Sequence, residues 1–114
     1  MNTDQIKTLS ETLSICPQLQ PGDLADIAAL GFRSVINARP DSEEGGQPSS
    51  DDIQHAATVA GLQYAHIPVT PNQIKESDVK AFAKQLRALP TPILGFCRSG
   101  MRCSMLWSQA QELD

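Results

Sequence analysis

Six consecutive residues, Cys97-Arg98-Ser99-Gly100-Met101-Arg102, put a thiol, two guanidinium groups and a loop opened by small residues side by side. An apolar run, Pro92-Ile93-Leu94-Gly95-Phe96, leads into them, and a helix-like run, Cys103 to Leu113, follows. In a strand–loop–helix of this kind the loop N–H groups point inward. The helix adds the positive end of its dipole. Both favour thiolate over thiol, so Cys97 is predicted to titrate below an ordinary cysteine and to act as a nucleophile. Arg102 can fold back over the same hollow and grip a tetrahedral oxyanion through two parallel hydrogen bonds. Arg98, Ser99, Gly100 and Met101 would line the oxyanion cradle. The competing reading is a buried cysteine acting as a small hydrophobe. The Arg, Ser and Gly that follow at once argue against it, since a core segment would not choose them.

The rest of the chain must carry that loop. Thr12 to Cys16 reads as a strand. Pro21-Gly22-Asp23 opens a helix through Leu30, with Pro near its start and Gly31 just past its end. Arg33 to Asn37 reads as a second strand, and Arg39 to Ser50 as a long polar loop of the kind that often carries function. A helix from Ser50 to Gly61, a strand from Gln63 to Val69, a helix from Glu76 or Ser77 to about Leu89 and a strand up to Phe96 complete the order. The alternation predicts a single α/β domain over residues 1–114, with a mainly parallel sheet of four to five strands flanked by helices. Ligands of such sheets bind beyond the carboxyl ends of the strands, where Cys97 lies.

Composition sets the outer limits. The chain has 114 residues and a net charge of −4, which argues against a general nucleic-acid binder. No apolar run approaches the roughly 20 residues of a membrane span. The N-terminus lacks the basic region and apolar core of a signal peptide. Three cysteines (Cys16, Cys97 and Cys103) have no framework spacing, so a reducing, cytoplasmic setting is expected. The two histidines, His55 and His66, pair with no cysteine at a metal-ligand spacing. No metal or organic cofactor is implied.

The wider pattern adds to this. Gly31-Phe32-Arg33-Ser34-Val35-Ile36-Asn37, Arg39-Pro40-Asp41, Gly61-Leu62-Gln63-Tyr64, His66-Ile67-Pro68-Val69 and Phe96-Cys97-Arg98-Ser99-Gly100 together resemble the bacterial DUF442 family. That family is the phosphatase-like domain of beta-lactamase-hydrolase-like proteins. The resemblance covers nearly the whole chain. It implies a cysteine-phosphatase-like fold, an anionic small-molecule or phosphoprotein substrate and a functional link to sulfide-oxidising enzymes. Three departures stand out. Only four residues separate Cys97 from Arg102, the length usual in rhodaneses and one fewer than in tyrosine phosphatases. Phe96 stands where phosphatases usually have His, and Cys103 where they have a hydroxyl.

A phosphatase also needs a proton donor for its leaving group. Asp41 is the candidate, with Glu43 and Glu44 behind it, set against the plainer reading of Asp41 to Glu44 as solvated loop acids. Arg39 could add a second positive charge or simply form a turn with Pro40 and Asp41. Cys103 could resolve an oxidised Cys97, or pack under the loop as a small buried residue. Three functions remain open at this point: a phosphatase working through a phosphocysteine, a rhodanese-type sulfurtransferase or persulfide carrier at the same cysteine, and a non-catalytic anion- or partner-binding module.

Overall fold

A computed structural model describes residues 1–113. Five strands form one sheet: β1 (Lys7–Thr8), β2 (Leu13–Cys16), β3 (Ser34–Asn37), β4 (Gln63–His66) and β5 (Ile93–Phe96). Their spatial order is β1-β2-β5-β3-β4, with every pair parallel except β1–β2. Four helices connect or follow them: α1 (Leu24–Ala29), α2 (Ser50–Val59), α3 (Glu76–Ala88) and α4 (Met101–Ala110).

Alternation along each strand sorts side chains to two faces. Leu13, Ile15, Ile36 and Ile93 join Val79 and Phe82 of α3 and Leu106 of α4 in one buried cluster. Val35, Leu94 and Phe96 join Leu24 and Ile27 of α1 and Ile53 and Ala57 of α2 in the other. Apolar runs on the three inner strands are thus explained by cover on both faces. Each fully buried Leu, Ile or Phe contributes about 1.5–3 kcal/mol relative to exposure.

The register decides where the site forms. Cys16, Phe96 and Asn37 lie in one row across the sheet, with His66 paired to Asn37. Beyond that row the chain ends of β2, β5, β3 and β4 emerge together. Gln18, Cys97, Arg39 and Val69 therefore gather at one edge from four distant segments.

Several boundaries differ from expectation. The edge strand β1 adds to the expected elements; it is only two residues long and exposed, so it leaves no pattern in the sequence. Residues Pro21–Asp23 form a 3-10 turn ahead of α1. Strand β4 stops at His66 because Pro68 has no N–H for the ladder, although Ile67 and Val69 still donate to Asn37 and Ala38. Helix α4 starts two residues before Cys103, at Met101, because Gly100 caps it in a left-handed conformation (φ 95°).

Candidate active site

Cys97 follows β5 directly and is 1% exposed. The Gly100 N–H donates to its Sγ at 3.0 Å. The Cys103 thiol also donates to it, and the backbone N–H groups of Cys103, Arg102 and Ser99 add to the cradle; against the cost of burial they lower Cys97 to about 5. At neutral pH Cys97 is a thiolate at the amino end of α4. Cys103 holds its own proton, its titration raised by that same bond and by complete burial. Gly95 lies under it, where a Cβ would stand 3.4 Å from Cys103 Sγ, at the near limit of ordinary contact. Cys16, the row neighbour of Phe96, is pushed up to about 12 by burial and then by the Cys97 charge. One of three adjacent thiols is therefore activated and two are kept neutral.

Arg102 is buried and held on one edge. Its Nη1 donates to Glu43 Oε2 (2.7 Å) and to the Val69 carbonyl (2.9 Å), and its Nη2 donates to Glu43 Oε1 (2.9 Å). A guanidinium has five N–H groups in a planar fork. Three are used, leaving Nε–H and one Nη2–H without a partner among the described residues. Those two lie on the same edge and form the fork that grips two oxygens of an oxyanion.

Arg39, 3% exposed, meets the same acids. Its Nε donates to Glu43 Oε1 (2.7 Å), its Nη2 to Glu44 Oε1 (2.6 Å) and its Nη1 to Gln18 Oε1 (2.9 Å). Arg98 Nε pairs with Glu44 Oε1 at 3.1 Å. Glu43 thus joins Arg102 to Arg39, and Glu44 joins Arg39 to Arg98. Arg102 first, then Arg39, hold the Glu43 carboxyl below its ordinary value despite burial. These two acids are not a solvated run. They complete an ion-pair network across the site, which sequence reasoning missed. The available signal was three arginines near strand ends in an acidic chain, with Glu43 four residues after Arg39.

The roots of this loop are fixed from β3 and β4. Asn37 Oδ1 accepts the Arg39 N–H (2.9 Å), and the Arg39 carbonyl meets His66 Nε2 (2.8 Å). Tyr64 Oη receives Asn37 Nδ2 at 3.0 Å and shares a hydrogen bond with Ser50 Oγ at 2.7 Å.

A hollow of about 380 Å³ opens over the loop, lined by Arg98, Ser99, Met101 and Arg102 on one side and Arg39, Glu43 and Glu44 on the other. Asp41, the candidate proton donor, does not line it. Its Oδ1 accepts the Ser50 N–H at 2.7 Å, capping α2. Ser99 Oγ accepts the Met101 N–H at 3.3 Å, and the Met101 side chain faces solvent. Among the described residues no group of His, Cys, Asp and Glu is arranged to hold a metal ion, and no helix is long and apolar enough to cross a membrane.

Known proteins share this fold. The family model described as "Beta-lactamase hydrolase-like protein, phosphatase-like domain" matches residues 5–114. The beta-lactamase hydrolase-like protein of Agrobacterium fabrum is 38% identical over 93% of this chain, and that of Xylella fastidiosa 37% over 96%. The chain spans only about a quarter of their length, 25% and 26%. Among solved structures, a candidate phosphatase from Neisseria meningitidis superposes with a TM-score of 0.85 at 34% identity, covering 96% of this chain and 90% of that one. P. aeruginosa TpbA, solved in complex with pTyr, shares the fold at TM-score 0.70 and 16% identity, over 96% of this chain and 66% of that one. With a buried thiolate in a loop of amides, a positioned arginine and these relatives, the chain belongs to the phosphatase-like domain family of beta-lactamase hydrolase-like proteins.

Proposed function

We propose that the chain is a cysteine-dependent phosphatase that hydrolyses phosphate monoesters through a phosphocysteine at Cys97. The observation that carries this reading is the pairing, within one loop, of a thiolate surrounded by backbone N–H groups with Arg102, which lines the hollow over that loop and keeps its Nε/Nη2 edge open. The thiolate attacks phosphorus, and an S–P bond forms as the ester P–O bond breaks. Loop amides and Arg102 hold the equatorial oxygens as charge spreads over them. Water then attacks the phosphocysteine, releasing inorganic phosphate and restoring the thiolate. Cys103 acts as a neutral donor that keeps Cys97 a good leaving group in this second step.

The acids that line the hollow, Glu43 and Glu44, are both ion-paired with arginines, and Asp41 caps α2, so no unpaired acid is placed to protonate the departing oxygen. General acid catalysis is worth roughly 10²–10⁴-fold. The enzyme is therefore expected to favour aryl phosphates, whose leaving groups need less help, over alkyl phosphates. The same observation supports a second reading, sulfur transfer, which needs no proton donor. The short loop between Cys97 and Arg102 suits a persulfide sulfur as well.

A paired assay on wild type and Cys97→Ser separates the readings. One arm follows phosphate release from an aryl phosphate, the other thiocyanate formed from thiosulfate and cyanide. Phosphate release lost in Cys97→Ser supports the phosphatase. Thiocyanate formation alone replaces it with sulfur transfer. Silence in both arms from folded protein rejects both and leaves an anion-binding module.

A further inference from the structure

Glu43 and Glu44 are neighbours in sequence but differ in how they are held. Glu43 sits deep, bonded through both oxygens to two buried arginines. Glu44 is half-exposed and offers one oxygen, Oε1, to Arg39 Nη2 and Arg98 Nε together. Its backbone N–H makes only a 3.3 Å bond to Gln47 Oε1, and Gly45-Gly46 follow it, with Gly46 at φ 79°. The Glu44 side chain can therefore leave without unseating Glu43.

Its position has a second consequence. A separate hollow of about 330 Å³, lined by Gln18, Gln20, Gly46 and Gln47, shares Arg39, Glu44 and Arg98 with the hollow that Ser99 and Arg102 line. Glu44 and its two arginines form the partition. Swinging Glu44 outward would join the two spaces and leave two guanidinium groups, one of them buried, facing a vacated oxyanion position. A neutral group entering there would leave Glu43 as the single counter-charge of two buried arginines, Arg39 and Arg102, which is unfavourable. An incoming oxyanion replaces the carboxylate charge for charge.

We propose that the place held by the Glu44 carboxylate is a second oxyanion subsite, and that the substrate carries a second anionic group, carboxylate or phosphate, that displaces Glu44 while the phosphoester sits over Cys97. This rests on the phosphatase reading and narrows its substrate class to compounds with two anionic groups. Glu44 serves as an internal stand-in that keeps Arg39 and Arg98 paired until such a substrate arrives.

The test is calorimetric binding of three series of non-hydrolysable ligands: alkylphosphonates, and ω-carboxy and ω-phosphono alkylphosphonates of the same chain lengths. At one chain length the doubly anionic ligands should bind roughly ten- to a hundredfold tighter than the alkylphosphonate, the gain of a charge-assisted contact. Whether the carboxy or the phosphono series gains more identifies the second group. Arg98→Ala should cut the advantage severalfold, leaving Arg39 alone to hold the second group, and Glu44→Gln should enlarge it by removing the competing charge. Arg87→Ala, an equal charge change on the exposed face of α3, should leave it intact. Parity of the series at every length, or an advantage undiminished by Arg98→Ala, overturns the subsite and leaves the phosphatase reading standing. Binding of none of the series overturns both.

Discussion

Residues 97–100 and residues 39–48 face each other across one hollow. In the first segment the electrostatics come largely from the backbone and from Cys103 nearby: Sγ of Cys97 collects N–H groups from residues within six positions of it. In the second they come from side chains meeting across the fold, Glu43 reaching Arg102 over 59 positions. Backbone donors are present whatever residues occupy the loop, so the amide part of the cysteine cradle tolerates side-chain change as long as Gly100 can turn, and only the Cys103 contact depends on a side chain. The acidic loop has no such protection. Each of its carboxylates works only while the opposite arginine is in place. The two segments thus contribute different things. The first activates a nucleophile, and the second fixes the orientation of the arginine that would bind its target.

Removing Arg102 should break this division most severely. Arg102→Ala deletes the oxyanion fork and leaves Glu43 with one partner. A fall in kcat/KM of about 10²–10³-fold toward an aryl phosphate is expected, in line with loss of a preorganised donor. Urea unfolding should show a loss of about 3 kcal/mol for breaking a buried ion pair. Arg102→Lys should not restore activity, because a point charge cannot replace the fork.

Glu43→Gln comes next. The glutamine can accept from one arginine but not balance two, so unfolding should register a loss of about 2–3 kcal/mol. A fall in kcat of about tenfold should accompany it as Arg102 loses its anchor. If the acids were only solvated, the variant would stay within about 0.5 kcal/mol of wild type.

The cysteine side is sharpened by titration. Ultraviolet absorbance of the thiolate should give a midpoint near pH 5 for Cys97. Cys103→Ala should raise that midpoint, since the Cys103 thiol is its largest stabilising contact, while Cys103→Ser should keep it low because a hydroxyl also donates. The folded value lies below the ordinary 9.0. Ionisation of Cys97 therefore contributes stability that is complete above the unfolded value and is lost as pH falls through about 5. Cys97→Ala should flatten that part of the stability profile.

The smallest effect is expected at Asp41. Asp41→Asn keeps an oxygen that can accept the Ser50 N–H, so kcat should change less than about threefold, whereas loss of a general acid would cost roughly 10²-fold or more. Asp41→Ala should cost about 1 kcal/mol as a lost helix cap. Disappearance of the basic limb of the pH–rate profile in Asp41→Asn would reinstate it as the proton donor.

What could be read from the chain and what could not follow the same boundary. Strand–loop–helix order, the apolar stripes of α1 and α3, the caps of α2 and the parallel sheet all rest on contacts close in sequence or on simple periodicity. The predicted run of β4 to Val69 and the omission of β1 show the limit of that reading: Pro68 ended the ladder early, and a two-residue exposed strand has no periodicity to detect. The position of Cys97 also follows from order alone, because a strand flanked on both sides delivers its carboxyl end to the middle of the sheet edge.

The partners of the charges were not legible in the same way. Asp41, Glu43 and Glu44 are chemically near-equivalent acids within four positions, yet one caps α2, one holds Arg102 and one joins Arg39 to Arg98. By itself the sequence determined the activated thiol, because the groups that lower Cys97, the Cys103 thiol first and then the backbone N–H groups of Cys103, Arg102 and Ser99, are its own chain neighbours. Only the tertiary structure decided which acid meets which arginine. Those pairings depend on where β2, β3, β4 and β5 end relative to one another, and coulombic attraction at close range depends on that placement far more steeply than on any pattern along the chain.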